Sequence, residues 1–143
     1  MSDLKRVSPA EASQLMSQGY SYVDVRTERE FVARHPEGAL NVPLGQMGPR
    51  GLTMNPDFLS VMRKLFASDA KIVVGCASGM RSQHAAQALV DAGFTDVVDQ
   101  RAGMEGSRGG FGAVAEKGWA AAGLPVAQGT DAGSYQALKS RAD

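Results

Sequence analysis

Six consecutive residues, Cys76-Ala77-Ser78-Gly79-Met80-Arg81, contain the one cysteine of a 143-residue chain, with a glycine and an arginine close behind it. A cysteine acts chemically through its thiolate. That form is scarce at the free pKa near 8.5 unless a helix N-terminus, a cation or a cradle of backbone N–H groups favours the charge. The sequence offers all three. Gly79 permits a positive φ, so the loop can curl with its amides turned inward. Arg81 supplies a cation, expected to orient the loop and lend positive potential to its mouth. Ser82 and Gln83 open a helical pattern whose unsatisfied N–H groups and dipole aim into the same space. The expected product is an anion cradle made by Ala77, Ser78, Gly79, Met80, Arg81 and Ser82, with the Cys76 sulfur at its floor. The apolar Met80 would shape the entrance. A lone cysteine after a buried strand is commonly a small core residue, but a core residue does not require a glycine, an arginine and a helix start directly after it.

The flanking segments must put that loop in place. Lys71 to Gly75 reads as a short apolar strand, the type found at the centre of a parallel sheet covered on both faces. Helical periodicity over residues 82–92 follows, with Gly93 as the stop and a strand over 95–98 beyond it. Upstream, Ser8-Pro9-Ala10-Glu11 has capping-box spacing and predicts a helix from Pro9 to about Gln18. Residues 20–25, YSYVDV, predict a strand. Thr27-Glu28-Arg29-Glu30 repeats the capping box ahead of a short helix over 28–34, broken before Pro36, and residues 39–43 read as a strand closed by Pro43. The Gly- and Pro-punctuated stretch 45–54 reads as a loop. Asn55-Pro56 opens a helix with an apolar stripe at Phe58, Val61, Met62, Leu65 and Phe66. Helices alternate with short strands, which predicts an α/β domain around a mainly parallel sheet, with ligands outside the carboxyl ends of its strands.

Residues 103–112 contain five glycines and read as an exposed flexible loop; no dinucleotide fingerprint precedes them. The terminal SYQALKSRAD predicts a last helical turn or two. The length suits one domain with a single core. Fifteen basic and fifteen acidic residues cancel without forming a patch, so neither nucleic acid nor an anionic membrane is an expected partner. No window approaches a spanning helix and the first residues lack an apolar leader, so the expected location is the cytoplasm. One cysteine and two histidines, His35 and His84, offer no metal-ligand spacing, so the expected chemistry uses neither metal nor cofactor. Both histidines are expected at the surface or behind the site, and Trp119 in the core.

CASGMRS, residues 76–82, resembles the active-site loop of the rhodanese superfamily of sulfurtransferases, Cys-x-x-Gly-x-Arg-Ser. VDVRTEREFVARHPEGALNVP, residues 23–43, is similar to that family's Asp-x-Arg, Glu-[FY] and His-x-x-Gly-Ala-x-Asn-[IV]-Pro segments. Residues 85–98 resemble its post-loop helix and strand, and GWAAAGLPV, residues 118–126, its closing motif. The resemblance implies a three-layer α/β domain over residues 1–126, a central mainly parallel sheet flanked by helices, with 127–143 as a C-terminal extension. It implies sulfurtransferase activity: Cys76 takes sulfane sulfur from thiosulfate or a related small anion as a persulfide, then passes it to cyanide, a thiol or a protein. Asp24 and Arg26 would be a supporting charge pair that holds loops near the site.

Two features depart from the family pattern. Arg34-His35-Pro36-Glu37-Gly38-Ala39 stands where Gly-His-Ile-Pro-Gly-Ala is usual, and about a dozen residues, 105–117, separate the last glycines from Trp119. The inserted stretch reads as a surface excursion, with a flap near the loop that alters acceptor choice as the alternative. A noncatalytic binding module is a second reading of the whole chain. A cysteine phosphatase or arsenate reductase is a third, disfavoured because those loops carry five residues between Cys and Arg and this one carries four.

Overall fold

The computed structural model describes residues 4–108 and 114–142. Five strands form an all-parallel sheet in the order β1-β8-β7-β2-β4. They are β1 (Lys5–Val7), β2 (Ser21–Asp24), β4 (Leu40–Asn41), β7 (Ile72–Gly75) and β8 (Val97–Gln100). Helices α1 (Pro9–Ser17), α2 (Glu28–Ala33), α3 (Phe58–Leu65), α4 (Met80–Asp91) and α5 (Tyr135–Ala142) complete the layers. Alternation along the strands divides the interior in two, because successive side chains point to opposite faces. Ile72, Val74 and Cys76 join Val61, Met62, Leu89 and Leu138 on the face covered by α3, α4 and α5. Val73 and Tyr22 join Ala12, Phe31 and Trp119 on the other. All four residues of β7 are buried, as a central parallel strand requires.

Both expected capping boxes form: Ser8 and Glu11 exchange bonds at the start of α1, and Thr27 and Glu30 at the start of α2. Other expectations need correction. The stretch 45–54 is not a loop but an antiparallel hairpin, β5 (Gly45–Gly48) with β6 (Gly51–Met54). Its punctuation serves the turn, where Pro49 and Arg50 connect the strands. Strand β8 runs two residues beyond the expected end because Asp99 and Gln100, polar yet fully buried, have partners inside. Strand β1, unsuspected, is an edge strand with one buried residue, Val7. Two short pairings close the fold: β3 (His35–Pro36) with β11 (Val126–Ala127), and β9 (Ser107–Arg108) with β10 (Val114–Glu116), the latter inside the 105–117 stretch. The C-terminal helix α5 contributes Tyr135 and Leu138 to the main core.

Candidate functional site

Strand β7 ends at Gly75 and delivers Cys76 to the carboxyl edge of the sheet, between the ends of β8 and β2. The residue is only 2% exposed. Its Sγ accepts the Gly79 N–H at 3.1 Å, and Ser82 Oγ lies 3.4 Å away. The carbonyls of the loop are tied to the surrounding structure. Met104 N–H donates to Cys76 O at 2.7 Å, Glu105 N–H to Ala77 O at 2.8 Å, and Arg6 Nη2 to Gly79 O at 3.3 Å. A trans peptide sets its N–H opposite its C=O, so the N–H groups of Ala77, Ser78 and Met80 turn away from these anchors. Gly79 caps α4 with φ +99°, and a Cβ there would run into the Arg101 carbonyl. Helix α4 starts at Met80, earlier than expected, which brings Arg81 and Ser82 into its first turn and aims its positive end at the loop.

Arg81 does orient toward its neighbours, but its charge is matched. Glu30 grips it with Oε1 on Nη1 at 2.6 Å and Oε2 on Nη2 at 2.9 Å. Burial opposes the Glu30 charge, yet the hydrogen bonds from Arg81 and from the Thr27 backbone prevail and hold the carboxyl at about 2. The same bonds raise Arg81 further above its ordinary value, against burial. The expectation of surplus positive potential at the mouth is therefore corrected to a neutral pair. Glu30 was legible only as a helix cap and a motif position; its second carboxylate function could not be read from spacing.

Asp24 and Arg26 form a buried pair through Nε and Nη2, at 2.8–3.1 Å. Arg26 Nη2 also donates to Arg34 O at 2.6 Å, and Asn41 Nδ2 donates to the carbonyls of Asp24 and Arg26. Burial disfavours the Arg26 charge, but Asp24 outweighs it and the pKa rises. These bonds hold the turn between β2 and α2 that carries Glu30.

The turn after β8 is the element that sequence reading missed. Gln100 Oε1 accepts both Ala102 and Gly103 N–H groups at 2.8 Å, while its Nε2 donates to Gly103 O and Tyr22 Oη. A Cβ on Gly103 would strike the carbonyls of Cys76 and Ala77, so this turn packs directly under the loop. Residues 102–104 and 106 are buried. That corrects the exposed flexible loop expected from Gly103 onward; residues 109–113 lie outside the described residues.

His35 is not at the surface. It is fully buried, stacked on Phe31, with Nδ1 2.6 Å from Phe31 O and Nε2 3.0 Å from Asp131. His84 borders a small apolar hollow with Leu44, Leu52, Met54 and the exposed Met80. Trp119 is core, edge-on to Tyr22, its Nε1 donating to Pro125 O. Among the described residues no group of His, Cys, Asp and Glu could hold a metal ion. The arrangement suits one anionic sulfur atom, held by backbone N–H and a helix N-terminus in a ring braced from three sides.

Residues 8–108 match the family model described as rhodanese-like domain. The chain is 42% identical over 120 residues to thiosulfate sulfurtransferase 16, chloroplastic, of Arabidopsis thaliana, covering 84% of this chain and 90% of that protein. It is 30% identical over 102 residues to thiosulfate sulfurtransferase GlpE of Haemophilus influenzae, 71% of this chain and 86% of that one. The chain spans about half the length of two further plant relatives it matches. Among solved structures, that of Rv0390 from M. tuberculosis superposes with a TM-score of 0.74 at 29% identity, over 90% of this chain and all of that one.

Proposed function

Since the chain belongs to the rhodanese-like domain family, we propose that it is a sulfurtransferase that carries sulfane sulfur on Cys76. The Cys76 thiolate attacks the outer sulfur of thiosulfate. A new S–S bond forms, the sulfur–sulfur bond of the donor breaks, and its electron pair leaves with sulfite. An acceptor thiolate or cyanide then attacks the outer sulfur of the Cys76 persulfide, and the pair from the broken S–S bond returns to Sγ. Neither transfer moves a proton, so the lack of a histidine hydrogen bond to Sγ among the described residues costs the reaction nothing. Backbone donors preorganised around an anion are the means of stabilisation.

One observation carries this reading: Sγ is buried and bonded to the Gly79 N–H, within a loop whose carbonyls are drawn away by Met104, Glu105 and Arg6. Intact mass spectrometry after incubation with thiosulfate tests it. The wild type should gain one sulfur, about 32 Da, removable by cyanide or a thiol, and Cys76→Ala should gain none. Folded wild-type protein that stays unmodified by thiosulfate and by other sulfane donors would refute it.

A further inference from the structure

Asp99 is a fully buried carboxylate that the sulfur chemistry above does not use. On β8 it pairs with Arg6 of β1 on one side and Val74 of β7 on the other. Val97, two residues before it, packs on the face of Val74 and Cys76, so alternation turns Asp99 to that same face, the one covered by α4. Its Oδ2 accepts Arg6 Nε at 2.7 Å. Its Oδ1 is buried with no hydrogen-bond partner among the described residues. Burial pushes the carboxyl up, against the Ser82 hydroxyl and Arg6, which both favour its charge. The two other carboxylates of the site are matched at both oxygens, Asp24 by Arg26 and Glu30 by Arg81. Tyr22 is kept neutral by its burial. Of these three carboxylates, Asp99 alone keeps an open oxygen.

Ser82 links Asp99 to the sulfur. It is fully buried in the first turn of α4, with Oγ 3.4 Å from Cys76 Sγ and 3.4 Å from Gly79 O, a carbonyl that already accepts Arg6 Nη2. A serine hydroxyl has one proton to give. While Cys76 is a thiol, its S–H donates to Ser82 Oγ and the hydroxyl proton is free to turn to Asp99 Oδ1. When Cys76 is a thiolate, the sulfur anion draws that proton and leaves Oδ1 buried and bare. Two anions then compete for one donor, and a buried charge without a partner is destabilised. A persulfide differs from both. Its charge stands on the outer sulfur, about 2 Å beyond Sγ, so Sγ no longer draws the hydroxyl.

We propose that Asp99 is a positioning residue that acts through Ser82 to disfavour the free Cys76 thiolate relative to both the thiol and the persulfide, and so holds sulfur on Cys76 until an acceptor arrives. The part that concerns the persulfide rests on the sulfurtransferase reading. In discharge the acceptor bonds to the outer sulfur, the bond from that sulfur to Sγ breaks, and its electron pair returns to Sγ. Asp99 makes the thiolate formed in that step a poorer leaving group.

Asp99→Asn and Asp99→Val both remove the charge, and circular dichroism checks that they fold. With one cysteine in the chain, iodoacetamide reads Cys76 alone. On the rising limb of the pH profile, alkylation should run about tenfold faster in a folded variant than in wild type, and no faster on the alkaline plateau, where every thiol is ionised. A loosened loop would raise the rate at every pH. A uniform rise, or an unchanged or slower rising limb, overturns the proposal. Persulfide loaded from thiosulfate should discharge to cyanide about threefold faster in the same variant; unchanged discharge overturns the leaving-group role. Wild type that takes up no sulfur sinks the parent reading, and alkylation then decides the effect of Asp99 by itself.

Discussion

At the mouth of the site the charge of Arg81 is answered by both oxygens of Glu30, at 2.6 and 2.9 Å. Under the sulfurtransferase reading an anion there meets the backbone N–H groups and the α4 terminus, while Glu30 holds the Arg81 side chain in that first turn. Glu30→Gln keeps the shape and removes the clamp. Sulfur loading of Cys76 should slow by about tenfold, the effect of one lost charge-assisted hydrogen-bonded pair, with the same adduct mass at completion. The pH dependence follows from the carboxyl being held at about 2, below its unfolded value. A group depressed on folding contributes its full stability above the unfolded value and loses it as pH falls through the folded one. Wild type should therefore shed stability between about 4.5 and 2 that Glu30→Gln never had, read as a flatter dependence of the urea midpoint on pH in the variant. Cys76→Ser should fold and form no persulfide; mass spectrometry after thiosulfate treatment decides it.

Elements rather than single side chains shape the cradle, and its narrowest tolerance is at Gly79. Alanine there must adopt φ near +99° and press its Cβ on the Arg101 carbonyl. A loss of about 1–3 kcal/mol is expected, measured by chemical denaturation, together with loss of sulfur loading as the loop opens. The elements most legible in the sequence were those announced locally: the capping boxes at Ser8 and Thr27, the apolar stripe from Phe58, and the run before Cys76. Those it hid depend on distant partners. Lys5–Val7 becomes a strand only because β8 offers it an edge, and the interior placement of Asp99 and Gln100 goes with Arg6 on one Asp99 oxygen and the turn at Ala102 on Gln100. The bracing of the loop by Met104 and Glu105 belongs to the same class, since the glycines that permit that close approach read as flexibility in the sequence. The Cys76 loop itself was visible as a unit; the carboxylate that neutralises its arginine was not.

At the scale of the whole molecule, the last helix is part of the interior. Leu138 is fully buried and Tyr135 nearly so, both in the cluster that contains Cys76, and Asn55 Nδ2 donates to Tyr135 Oη at 3.1 Å. Leu138→Ala should cost about 2–5 kcal/mol, the range for a buried leucine, and a chain ending at residue 126 should melt far below the full chain in a thermal scan.

A single thiol enclosed in this way also decides how the protein meets oxidants. With no other cysteine among 143 residues, a sulfenic acid formed at Cys76 has no resolving partner in the same chain and cannot be protected as an internal disulfide. Its repair has to come from a thiol supplied outside, before further peroxide carries it to the irreversible acids.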